Sequence, residues 1–378
     1  MTARPQTLPP GTTPAELGYR MPAEWEPHAA TWIAWPHNRE DWPGKFQPIP
    51  WVYAEIVRHL SRREVVEIIV NNVEAERSAR KLLKSAGVEL GTVVRFHHWT
   101  TDRVWTRDSG PIFLRKDSSP RTWTPRNPPG ERPLLATAWR FNAWAKYPNW
   151  KNDATIAARI ALAQRIPMVR PARELDGSKY RVVLEGGSID VNGWGTLLTT
   201  EECLLSPVQA RNPRVSREQL EKVFADYLGI SKVLWLGSGI AGDDTHGHVD
   251  DLARFVGPDT VVAVVERDTS DVNFAPLREN LRRLRSMTDQ DGKPLRVVEL
   301  PMPSPVSFQG RRLPASYANF YIANGLVLVP TFNDKNDRLA LNILAEVFSE
   351  REVVGIYCGD LIWGFGALHC MTQQQPAV

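Results

Sequence analysis

Short β-branched runs alternate with stretches of helical spacing along most of this chain. Ala29–Trp35 and Val65–Val70 read as strands, the second bounded by Asn71-Asn72. Trp51–Leu60 and Ala75–Ala86 carry apolar residues at helical spacing, and Gly87 stops the second. Val93–Trp99 reads as a further strand, as do residues 110–114; Leu134–Phe141 reads as a partner strand and Asp153–Gln164 as a helix. The pattern then repeats. Ser188–Val191, a turn at Asn192-Gly193 and Thr196–Thr199 predict a hairpin, followed by a helix over Ser216–Leu228 and a strand at Lys232–Leu236. The same order returns in Leu252–Val256, Val261–Val265, Pro276–Met287 and Arg296–Leu300. It returns again in Tyr317–Ile322, Leu326–Val329, Asp337–Phe348 and Glu352–Ile356. Segments 29–99 and 108–170 follow it less cleanly, which makes five strand–strand–helix–strand units. A ring of such units leaves few exposed sheet edges, so the expectation is an α/β fold built as a five-bladed propeller. An ordinary α/β sheet is the alternative. Residues 1–20, polar and proline-rich, read as a loose flexible arm; 116–133, rich in Pro, Ser and Arg, as an exposed loop; and 21–376 as one domain.

Composition narrows the partners. A net charge of +3 over 378 residues calls for neither nucleic acid nor a membrane surface. No apolar run is long enough to span a bilayer, and the first residues carry no apolar core of a signal peptide. Three cysteines, Cys203, Cys358 and Cys370, do not make a disulfide framework, so a reducing, cytoplasmic setting is expected.

The chemistry gathers at unit starts. Cys370 follows Gly364-Phe365-Gly366-Ala367-Leu368-His369, where glycines allow a sharp turn and neighbouring N–H groups can favour a thiolate. Asp108 precedes the first strand of its unit, Glu185 that of the next, and His248 and Asp250 that of the third. In a ring these starts converge on one cavity. Carboxylates sharing a pocket need a cationic guest, and a planar guanidinium suits two of them. Asp108 and Asp250 would clamp it, and Cys370 would attack its central carbon. His248 would act as acid and then base, oriented by Glu185, and no metal or cofactor is required. Simpler readings stand beside these. Cys370 reads also as an inert buried thiol, Asp108 as a turn ion pair with Arg107, and Trp105 as core. His246 and His248, two apart, would share a face on a strand and could ligate a metal with the flanking aspartates, giving a metal-dependent hydrolase. A non-catalytic guanidinium-binding protein is the third reading.

From Met21 to Pro376 the chain resembles the agmatine deiminase family, within the guanidino-group-modifying (pentein) superfamily that also includes peptidyl-arginine deiminases. The resemblance lies in Pro22-Ala23-Glu24-Trp25-Glu26-Pro27-His28, Trp105-x-Arg107-Asp108-x-Gly110-Pro111 and Phe141-Asn142-Ala143-Trp144. It continues in Leu184-Glu185-Gly186-Gly187-Ser188, Gly247-His248-Val249-Asp250 and His369-Cys370-x-Thr372-Gln373-Gln374-Gln375-Pro376. It implies a five-bladed propeller and hydrolysis of agmatine to N-carbamoylputrescine and ammonia, a step of putrescine biosynthesis. It carries over Cys370 as nucleophile, His248 as acid/base and Asp108 and Asp250 as guanidinium ligands. Glu185 carries over as the residue orienting histidine and Trp105 as a pocket wall. Homodimers are common in the family. Four places depart from its pattern: Phe365 stands for a glycine, Ala367 for an asparagine, His246 for an aspartate, and Ala145-Lys146 for two glycines. Phe365 is expected to narrow the site and Lys146 to repel a distal amine, which keeps a peptidyl-arginine or other guanidine as the alternative substrate.

Overall fold

Runs of valine and isoleucine between polar turns bury a strand only if a neighbour pairs its backbone. In the computed structural model, which describes residues 11–116 and 133–378, five sheets solve this in one way. In each, the first strand lies antiparallel to the second, and the second lies parallel to the third. Asp190–Val191, Thr196–Thr200 and Lys232–Leu236 form one such sheet. Ala253–Phe255, Thr260–Val265 and Arg296–Pro301 form the next, and Tyr321–Ala323, Leu326–Thr331 and Glu352–Tyr357 the next. Ile112–Lys116, Leu134–Thr137 and Met168–Val169 repeat the order.

The fifth sheet joins the two ends of the chain. Gln373–Pro376 pairs antiparallel with His28–Ala34, which runs parallel to Val65–Val70, itself parallel to Val94–His98. The amide run that looks merely polar in the sequence is thus a buried strand. Gln375 accepts from the Trp32 indole at 3.0 Å, and Gln374 accepts from Arg107 at 2.7 Å.

Helices supply the crossovers that parallel neighbours require. Ile49–Leu60, Ile156–Ala163, Arg217–Leu228, Phe274–Ser286 and Asp337–Val347 each link the second and third strands of a sheet. Arg217–Leu228 begins at a capping box between Ser216 and Gln219 and ends at Gly229, whose φ of 71° is the left-handed stop. The expected elements are present, with boundaries moved by a few residues. Two differences matter: the strand expected at Tyr317–Ile322 starts at Tyr321, and the one expected at Leu134–Phe141 ends at Thr137. Of the N-terminal arm, 15–17 form a single turn, and Tyr19–Arg20 pairs with Arg115–Lys116. Residues 1–10, and most of the loop expected at 116–133, lie outside the described residues. No described helix is long and apolar enough to cross a membrane.

One polar cluster ties the sheets together. Arg254, fully buried, reaches Glu24 at 2.9 Å, pairs with Asp190 and donates to the Phe320 carbonyl at 2.8 Å. Removing Arg254 takes the cation from buried Asp190 and one of three positive partners from Glu24. Arg254→Met is therefore expected to destabilise the protein by about 3–5 kcal/mol, read from its urea unfolding curve. A loss within about 1 kcal/mol would show that the cluster does not hold these sheets together.

Candidate active site

Each of the five first strands is preceded by a short irregular segment that carries a polar side chain. Asp108 lies in the turn of helix Thr106–Ser109, Glu185 caps the 3-10 turn Gly186–Ser188, and His248 caps Val249–Asp251, which contains Asp250. Cys370 lies three residues before Gln373. All five side chains are buried. The remaining sheet contributes Asn319, two residues before Tyr321. Its Nδ2 lies 3.1 Å from Cys370 Sγ and 3.0 Å from Asp251, and its Oδ1 accepts from the His369 amide at 3.0 Å.

These groups meet around Gly187. A Cβ there would lie 2.7 Å from His248 Nδ1 and 3.0 Å from both Asp108 Oδ1 and Asp250 Oδ2, so only glycine leaves the space open. Asp108 accepts from the Gly187 amide at 3.0 Å and from the Trp144 indole at 2.8 Å. Asp250 Oδ2 bonds His369 Nδ1 at 2.7 Å and stands 3.6 Å from the Cys370 sulfur. Asp250 Oδ1 has no hydrogen-bond partner among the described residues. His248 turns Nε2 towards Glu185, 3.6 Å away, and Nδ1 towards Asp250, 3.9 Å away. Arg211 holds Glu185 at 3.2 Å and also donates to the Thr245 carbonyl.

Burial and charge set the protonation states. Burial lifts the Asp108 carboxyl to about 6: the cationic His248 opposes the rise, and the charges of Glu185 and Asp250 add to it. Burial would lower His248, but the Asp108 charge and the nearby Cys203 and Glu185 prevail and hold it well above its ordinary value. Glu185 stays ionised despite burial because of Arg211 and His248. Burial pushes the Cys370 thiol well up, and Asp250, Asp251 and Asp108 push the same way. Neighbouring N–H groups therefore do not make a free thiolate here.

The glycines before Cys370 serve close approach, at a 3-10 turn that Phe365 closes. A Cβ on Gly366 would meet the Trp105 ring at 2.7 Å, and one on Gly364 the Trp42 indole at 2.7 Å. Phe365 between them takes the left-handed backbone, φ 67°, that glycine adopts more cheaply. Trp105, Trp144, Asp41, Asp244, Phe365 and Cys370 line one pocket, so Trp105 is both buried and a wall. At its outer part Arg311 stacks on Phe365 at 4.0 Å and reaches Asp244 at 3.0 Å, and Asp244 also takes Lys146 and the Tyr147 hydroxyl. Lys146 is thus paired but shares the one Asp244 charge with Arg311, while Asp41 Oδ2 has no hydrogen-bond partner among the described residues.

Two sequence expectations are corrected. His246 and His248 are not on a strand: the segment is a turn with His246 at φ 65°, so alternation does not apply. His246 bonds Ser206 at 3.0 Å on a separate groove, and the two rings share no ligand set. Arg107 does not pair with Asp108. It bonds the His369 carbonyl at 3.3 Å, Gln374 at 2.7 Å and Glu24 at 3.3 Å, and so pins the Cys370 segment.

The raised thiol gives a direct expectation. Alkylation of Cys370 in the free protein is slow at neutral pH and quickens as pH rises. Asp250→Asn, which removes one of the repelling charges, moves that profile to lower pH. A neutral-pH rate equal to that of a free cysteine would contradict the burial and charge argument.

Comparisons with known proteins give the family. Residues 20–376 match the model of the Porphyromonas-type peptidyl-arginine deiminase family. An agmatine deiminase of Ectopseudomonas mendocina is 35% identical over 393 residues, covering 97% of this chain and 98% of that one. One of Medicago truncatula is 35% identical with the same coverage. The solved agmatine deiminase of Enterococcus faecalis superposes with a TM-score of 0.85 at 32% identity, over 98% of this chain and 99% of that one. With its α/β fold and a match along nearly its whole length, the chain belongs to the Porphyromonas-type peptidyl-arginine deiminase family.

Proposed function

We propose that this protein hydrolyses agmatine to N-carbamoylputrescine and ammonia through a covalent intermediate on Cys370. The observation that carries the reading is the meeting of Asp108, Asp250, His248 and the Cys370 sulfur around the open face of Gly187. Agmatine deiminases along the whole chain length support the choice of substrate.

The guanidinium docks between Asp108 and Asp250, whose charges otherwise hold the thiol protonated. Its positive charge offsets them and favours the thiolate, the thiol proton passing to solvent as the cation enters. Sγ then attacks the guanidinium carbon. His248, held as the cation, gives its Nδ1 proton to the departing ammonia and leaves an amidino-thioether. The neutral ring next takes a proton from water, whose oxygen attacks the same carbon. The C–S bond breaks and the ureido product leaves. Glu185, fixed by Arg211, keeps its charge against Nε2 and so favours the cationic ring. Trp105 and Trp144 wall the methylene chain. Asp41 pairs with Arg103 through Oδ1, and its Oδ2, with no hydrogen-bond partner among the described residues, is offered to the distal ammonium. We further read the five like sheets as blades round one pseudo-fivefold axis and 21–376 as a single domain. Their common strand order supports this, as does the polar residue ahead of each first strand.

A second reading, another small guanidine as substrate, is favoured by one observation. Phe365 and Arg311 crowd the outer pocket at a place where the family's glycine would leave room.

Ammonia release from agmatine, arginine and arginine peptides separates these. Agmatine is expected to lead, with Cys370→Ser lowering turnover at least ~1000-fold and a chelator changing nothing. Preference for another guanidine keeps the mechanism and replaces the substrate, and activity that survives Cys370→Ser removes the mechanism. Because Asp108 must be ionised to hold the cation, KM is expected to rise about tenfold per pH unit below about 6. Asp108→Asn abolishes that dependence at the cost of weak binding throughout. A KM flat well below that pH in the wild type would contradict the clamp.

A further inference from the structure

The acid/base histidine has a second thiol beside it, and the reaction above does not use it. Cys203 lies on the short helix Glu201–Leu205, fully buried. Its placement is built into the fold. Thr200 caps that helix through the Cys203 amide at 3.0 Å, and the same hydroxyl donates to the Gly247 carbonyl, next to His248. One ligand atom each from Glu185, Cys203 and His248 falls within 4.8 Å of the others. Neither ring nitrogen of His248, which is 1% exposed, has a hydrogen-bond partner among the described residues.

We propose that Glu185, Cys203 and His248 form an inhibitory site for a thiophilic divalent cation such as Zn2+, distinct from the nucleophile Cys370. This rests on the deiminase reading of the same histidine. Sulfur, imidazole and carboxylate together suit zinc rather than magnesium or calcium. Zinc bonds of about 2.0–2.3 Å require ligand atoms roughly 3.3–3.8 Å apart, so the three need close by only about 1 Å. The fourth position is left for water. Arg211 already neutralises part of the Glu185 charge, so binding on the order of 10 µM is expected rather than the tighter binding of a structural zinc site.

The inhibition follows from which nitrogen is taken. Nε2 faces Glu185, whereas Nδ1 faces Gly187 and Asp250. A metal on Nε2 leaves the ring with one proton, on Nδ1. Losing that proton would create an imidazolate, so the metal-bound ring cannot hand it to the departing ammonia and then accept another from water. The nucleophile and the carboxylate clamp stay intact, but the proton cycle stops.

The test uses Co2+ as an optical stand-in for zinc, on the full chain. Wild type and Cys370→Ser are expected to show a thiolate-to-cobalt charge-transfer band and to hold about one Zn2+ per chain in equilibrium dialysis against about 100 µM Zn2+. Cys203→Ser should lose the band, and both it and His248→Asn should retain little metal, with thermal melts confirming that each is folded. In the wild type, Zn2+ is expected to cut ammonia release at least about tenfold, reversed by chelator. The spectrum and the metal content do not depend on turnover, so a wrong substrate leaves them unchanged. A band that persists in Cys203→Ser and vanishes in Cys370→Ser would move the site to the nucleophile and overturn the proposal. Absence of bound metal in the wild type would overturn it as well.

Discussion

Desolvation of carboxylates is the constraint on which the centre of this protein depends. Glu24, Asp108, Glu185, Asp190, Asp250 and Asp251 are all buried, where an unpaired charge is costly. Most are answered from within. Arg254 serves Glu24 and Asp190, Arg107 adds to Glu24, Arg211 serves Glu185, and His369 bridges Glu24 to Asp250. Asp108 receives only an amide and an indole N–H, and one oxygen of Asp250 receives nothing among the described residues. Asp108, lifted by burial to about 6, and the open oxygen of Asp250 thus meet at one glycine face, where the proposed guanidinium would add positive charge.

The same burial and the same carboxylates set the state of the Cys370 thiol. A thiol beside three carboxylates and away from water stays protonated. In the mechanism proposed above it becomes reactive when the cationic guanidinium arrives. Such coupling limits alkylation and oxidation of the resting enzyme, because the thiolate is the reactive form. His248 sits in the same field with the opposite response and is held as a cation, ready to act first as an acid.

Much of this was legible in the sequence because it lies in local pattern. Valine-rich runs and capping residues located most strands and helices, and the repeat of unit order pointed to Asp108, Glu185, His248 and Asp250 as equivalent positions. Asn319 holds that position in a fourth unit but was hidden. The apolar residues Tyr317, Phe320, Tyr321 and Ile322 around it read as one strand, whereas pairing starts only at Tyr321. Gln373–Gln375 gave no strand signal for the opposite reason, since polar side chains can line a buried strand when indole and guanidinium donors meet them. Arg211 and Cys203 carried no local signal, because their contacts with Glu185 and His248 are made only on folding. Alternation misplaced His246, which occupies a left-handed turn.

The central claim is that Cys370 forms a bond to the guanidinium carbon. Mixing the enzyme with agmatine, quenching in acid within a single turnover and weighing the peptides tests it most directly. The account predicts a peptide containing Cys370 that is heavier by one substrate less ammonia and that disappears as product forms. Turnover without any adduct on that peptide, or an adduct on Cys203 or Cys358 in its place, would contradict it.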